Sequence, residues 1–95
     1  MVSAASDGNY LARVDPGGQR IARFGDHCML FNAVSWETHF ASAHAADVLE
    51  AIGARKITRL ELDELLLGSA PLEDERAELS KLLVGLEELG LLTAV

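Results

Sequence analysis

The spacing of apolar residues changes partway along the chain. Up to about residue 41 they alternate with polar residues or come in short runs; from Ala45 onward they recur every three or four positions. Tyr10 to Val14 reads as a short strand. Asp15-Pro-Gly-Gly follows, with a proline that presets one dihedral and glycines that permit a tight reversal. Gln19 to Phe24 alternates, with Ile21 apolar between Arg20 and Arg23. Gly25-Asp26 turns the chain into the apolar run His27 to Asn32, and residues 32–35 reverse it again. In Trp36 to Ala41 the side chains of Trp36, Thr38 and Phe40 share one face, and Glu37, His39 and Ala41 share the other. The more apolar face, with Phe40, is expected to enter the core. Sequential strands joined by short turns predict an antiparallel meander whose last strand is Trp36 to Ala41.

Ser42 comes next, and its hydroxyl suits the N-cap of a helix. Ala45, Val48, Leu49 and Ile52 then mark an apolar helical stripe that Gly53 ends. Thr58-Arg-Leu-Glu61 has the spacing of a capping box, and Leu62, Leu65 and Leu66 give a second stripe ending by Gly68. Ser69-Ala-Pro71 is a linker, with Pro71 able to start a helix. Glu73, Asp74 and Glu75 load the next helix start with negative charge, which the helix dipole favours. That helix runs from about Glu73 to Leu89, with Leu79, Leu82, Leu83, Leu86 and Leu89 in one stripe. Gly90 is a natural stop, after which Leu91-Leu92 should fold back on the core. The expectation is an α+β, winged-helix-like fold: a three-stranded antiparallel sheet followed by three helices. Residues 10–95 form one domain, and residues 1–9, small and polar, read as a flexible tail. Gly85 interrupts the third helix at a cost of about 1 kcal/mol relative to alanine. It sits beside Leu82 and Leu89, where a missing side chain permits either close internal packing or room for an incoming segment.

Composition narrows the function classes. The net charge is −7, and residues 48–95 carry ten acids against five bases. Such a surface repels phosphate backbones, which opposes a winged-helix DNA binder and nucleic acid in general. The single cysteine, Cys28, has no internal partner for a disulfide and suits a reducing cytoplasm as a small buried hydrophobe. There is no signal-peptide pattern and no apolar stretch of membrane-spanning length.

Candidate chemistry is thin. His27 and Cys28 are adjacent on a strand and diverge. His39 and His44 lie five apart across a strand-to-helix junction, so no metal spacing exists and no metal or other cofactor is expected. No nucleophile elbow, phosphate loop or dinucleotide fingerprint is present, and Glu87-Glu88 diverge on their helix, so no catalytic residues are expected either. What remains is a last strand with one hairpin neighbour and an open edge beside an apolar helix, the physical requirement for strand addition by an extended peptide.

Phe31-Asn32, Ser35-Trp-Glu-Thr-His-Phe40, Ser42 and Ala45-Ala-Asp-Val-Leu49 together resemble the PqqD-like peptide chaperones, in the branch associated with HPr-kinase-related proteins. Leu82-Leu83 through Leu86-Glu-Glu-Leu-Gly-Leu-Leu92 is similar to that branch's helix ending, so the resemblance runs from about Tyr10 to Leu92. Trp36 stands where the branch usually has glycine, and Ser42 where it has asparagine. The resemblance implies a non-catalytic, cytoplasmic recognition element. It would bind the leader of a ribosomally made precursor peptide and present it to a peptide-modifying or kinase-like enzyme. The implied peptide site is Thr38, His39, Phe40 and Ala41 on the strand, with Leu79, Leu82, Leu83, Gly85 and Leu86 on the helix. The alternative is a structural or regulatory subunit of a kinase-like protein, whose groove holds a segment of that partner or of a second copy in a homodimer.

Overall fold

The computed structural model describes residues 10–33 and 35–94. The tail expected over residues 1–9 lies outside the described residues, as does residue 34 within the third reversal. The architecture is α+β, compatible with a winged-helix-like arrangement: two three-stranded antiparallel sheets and three helices.

Strand β1 (Tyr10–Arg13) leads through a 3₁₀ turn at Pro16–Gly18 to β2 (Gln19–Phe24). β2, β3 (His27–Asn32) and β4 (Glu37–Ser42) form the expected meander in the order β2-β3-β4. A two-residue turn joins β2 to β3, pairing Phe24 with His27; Gly25 sits at φ 60°, a conformation that costs glycine nothing. Trp36 closes the β3–β4 hairpin by donating its N–H to Asn32 O at 2.8 Å, with φ 61°. A left-handed conformation costs an L-residue about 1–2 kcal/mol, so the backbone here keeps a glycine-like shape under a tryptophan side chain.

Helix α1 (Ala43–Ile52) starts directly from β4, with Ser42 at the N-cap position. The expected hydroxyl cap is not made: the Ser42 side chain has no capping bond. The start is held instead by Ala43 N–H donating to Asp26 O at 2.9 Å and by Cys28 Sγ donating to Ser42 O at 3.3 Å. α1 buries Ala45, Ala46, Val48, Leu49 and Ile52 against Cys28 and Leu30 of β3 and against the other helices.

The second sheet was not anticipated. β1 lies in its centre, with β5 (Ile57–Thr58) on one side and β6 (Leu92–Ala94) on the other. Leu11, Ile57 and Leu92 are buried there, so this sheet clasps the described start and end of the chain onto the core. The buried Gln19 side chain joins the two sheets, donating to Val14 O at 2.7 Å and Leu91 O at 2.9 Å.

Helix α2 (Arg59–Leu67) opens with the expected capping box: Thr58 Oγ1 accepts from Glu61 N–H, and Glu61 Oε1 accepts from Thr58 N–H, both at 3.2 Å. Its stripe is not the expected one. Leu62 is buried and Leu66 half-buried, but Leu65 is exposed, and the other buried positions are Arg59 and Asp63. Helix α3 (Glu73–Glu88) begins two residues beyond Pro71, with Glu75 reaching back to accept from Leu72 N–H at 3.0 Å. It ends as expected at Gly90, φ 78°. Leu91 N–H donates to Leu86 O and Gly90 N–H to Glu87 O, both at 3.0 Å, satisfying two helix-end carbonyls. Leu91 and Leu92 then enter the core.

Candidate functional site: an open strand edge beside a helix

β4 pairs with β3 in a register that sets Met29 opposite Phe40, Leu30 opposite His39 and Cys28 opposite Ala41. Cys28 and Leu30 are buried, so His39 and Ala41 face the helices and Phe40 faces away. This reverses the expected phase. Phe40 is 79% exposed, and Trp36, 81% exposed, stacks edge-on against Phe31 at 6.2 Å between ring centroids. The reason is steric. α1 begins one residue after β4, and its buried Ala45 and Ala46 bring the helix backbone close to the strand end. A small Ala41 fits that junction; a phenylalanine side chain would not.

The free side of β4 can be assigned residue by residue. Ala43 N–H bonds to Asp26 O, and antiparallel ladders alternate between bonded and non-bonded pairs. Glu37, His39 and Ala41 therefore turn their N–H and C=O groups to β3. Thr38 and Phe40 turn theirs to the outer edge, as Ser42 does its N–H, while the Ser42 C=O turns inward to Cys28 Sγ. Among the described residues no strand pairs with that edge.

Between β4, the start of α1 and α3 lies a groove of about 330 Å³. Its walls are apolar: Ala41 and Ala45 on one side, Leu82, Gly85, Leu86 and Leu89 on the other, with Lys81 and Glu88 at the rim. A Cβ built on Gly85 meets no atom within 4 Å, so internal packing does not demand glycine there; its absent side chain widens the groove. His39, two residues from Ala41 on the same strand face, has a buried Nε2 without a hydrogen-bond partner among the described residues.

The expected site residues thus divide. Ala41, Leu82, Gly85 and Leu86 line the groove. Thr38 and Phe40 contribute edge backbone, while their side chains point to the opposite face. His39 lies on the groove side of the sheet. Leu83 is fully buried in the core, and Leu79 is buried one turn nearer the start of α3, outside this groove. Leu89 and Ala45 belong to the lining; the leucine periodicity marked Leu89, and only the strand-to-helix junction could have pointed to Ala45.

α3 is fixed in place from its other flank. Arg59, 1% exposed, donates Nε–H to Asp63 Oδ1 at 2.8 Å, Nη1–H to Ser80 Oγ at 3.0 Å and Nη2–H to Arg76 O at 3.0 Å. Arg76 Nε–H donates to Asp63 Oδ2 at 2.9 Å, completing a bridge from α2 to α3. Spacing along α2 places Arg59 and Asp63 one turn apart, but nothing in the sequence signals that they are buried.

Elsewhere chemistry is sparse. Burial pushes the Cys28 thiol above its ordinary pKa, so it stays a protonated core group at neutral pH. Among the described residues no three His, Cys, Asp or Glu side chains converge to hold a metal ion, and no helix is long and apolar enough to cross a membrane. No protein-family model, curated protein or solved structure matches the chain.

Proposed function

We propose that this protein is a non-catalytic peptide-binding module that captures an extended segment by strand addition to β4. The cargo, on this reading, is the leader of a ribosomally made precursor peptide in the cytoplasm. The protein would act like the PqqD-like chaperones its hairpin and third helix resemble, presenting the leader to a modifying enzyme. The observation that carries the proposal is the coincidence of a strand edge unpaired among the described residues with an apolar groove kept wide by a helical glycine. Main-chain bonds to Thr38, Phe40 and the Ser42 N–H would supply affinity, and side chains of alternate peptide residues would enter the groove.

The test is a titration of the isotopically labelled protein with short precursor peptides sought in the genes beside its own. The amides of Thr38, Phe40 and Ser42 are expected to move most, those of His39 and Ala41 less. Gly85→Leu should fill the groove and weaken binding at least tenfold while the protein stays folded. Saturating binding that leaves the edge amides unmoved would place the cargo elsewhere.

A further inference from the structure

Past Ser42 a larger trough of about 760 Å³ adjoins the groove, between the start of α1, the end of α2 and the start of α3, and the two share Lys81 and Leu82. The floor of the trough is apolar, formed by Val48, Leu66, Leu79 and Leu82. Its rim is acidic. Asp74, Glu75 and Glu78 line it from α3, and Asp47 from α1. The basic side chains there are few: Lys81 lies 3.6 Å from Glu78, and His44 lies 3.7 Å from Asp47, whose other oxygen meets Arg23 at 3.0 Å. Four carboxylates against Lys81 and an Arg23 that is shared with Glu50 leave the rim negative.

We infer that the trough receives the part of the cargo peptide that runs past the Ser42 end of β4, and that this part is both apolar and basic. The inference rests on the strand-addition reading and adds the chemistry of the cargo to it. Adjacency supplies the path: Ser42, whose N–H faces the outer edge, itself lines the trough, so a peptide paired to β4 runs on to the mouth of the trough. Charge complementarity supplies the residue type. A long lysine or arginine side chain lays its methylene stem on a leucine floor while its charged head reaches the carboxylate rim. The volume lies within the range of ordinary ligand sites, enough for a few side chains and not for a folded domain. A cargo antiparallel to β4 would carry its basic residues before its strand segment; a parallel one would carry them after.

A displayed library of random dodecapeptides, selected on the intact protein at low salt, tests this. Enriched peptides are expected to combine an alternating apolar stretch with lysine or arginine on one consistent side of it. They should shift the Thr38 and Phe40 amides. Their affinity should fall about five- to tenfold in D74N/E78Q, and similarly in wild type when salt is raised. Enriched peptides that shift those amides but lack basic residues, and that bind D74N/E78Q equally well, would overturn the basic-cargo inference and leave strand addition standing. A trough already filled by a second copy, seen as a dimer that D74N/E78Q dissociates, would also overturn it. Selected peptides that never touch the β4 edge would overturn both.

Discussion

On its α2 side, helix α3 is held by charge taken out of water and fully engaged: Arg59 and Asp63 are buried, and Asp63 bridges Arg59 and Arg76. On its β4 side the same helix faces an apolar groove with a glycine in its wall and, beyond it, a strand edge with no pairing partner among the described residues. An apolar gap between a helix and a sheet would normally close, because collapse buries the facing surfaces. The contrast shows what keeps it open. α3 takes its position from α2 and from the buried turn at Leu91-Leu92, so the sheet is not its only support. Directional bonds on one flank allow the other flank to stay unfilled.

Breaking the charged flank should have the largest effect. Removing one partner of a buried ion pair typically costs about 3–5 kcal/mol, because the remaining charge is left without compensation. Asp63→Ala takes the buried carboxylate away from the Arg59 charge and removes the Asp63 bridge to Arg76. The expected outcome is a stability loss of that size in urea unfolding, with any peptide binding at β4 lost in the same variant. A loss below about 1 kcal/mol, the worth of a surface pair, would show that water reaches the bridge and that packing alone places α3.

The open flank is sharpened by a substitution that should stabilise. Gly85 lies within α3, its φ is not positive, and its added Cβ would meet nothing within 4 Å. Gly85→Ala therefore gains helix propensity without a clash, and the midpoint should rise by about 0.5–1 kcal/mol in stability. Read with the weakened binding expected of Gly85→Leu, this separates a glycine kept for ligand space from one kept for packing. A destabilised Gly85→Ala would mean that α3 sits closer to β4 than the groove implies.

Much of the frame was legible because it is written in local chemistry. Thr58 and Glu61, Gly25, and Gly90 with Leu91 each fix a helix start, a turn or a helix stop within a few residues, and each behaves as its type dictates. The change of apolar period separates strands from helices for the same reason. The open edge of β4 followed from the order of the meander. What escaped was whatever depends on partners distant in sequence. β5 and β6 are two and three residues long, too short to show a period, and exist because both find β1. Arg59 and Asp63 read as solvated helix surface until α3 is laid across them. Alternation in β4 revealed two faces but not which one is inside, since that is decided by the small space next to α1.

That last point gives the smallest expected effect and the finest test of where the cargo lies. The Phe40 backbone faces the open edge, while its side chain projects from the sheet face opposite the groove. A 79% exposed side chain loses little contact when truncated, so Phe40→Ala should change stability by no more than about 0.5 kcal/mol. It should also leave strand addition intact, because alanine presents the same N–H and C=O. If Phe40→Ala instead abolished peptide binding while the fold held, the receptor would be the outer face of the sheet, where Phe31 and Trp36 also lie. The gap beside α3 would then be a by-product of how that helix is anchored, with no cargo of its own.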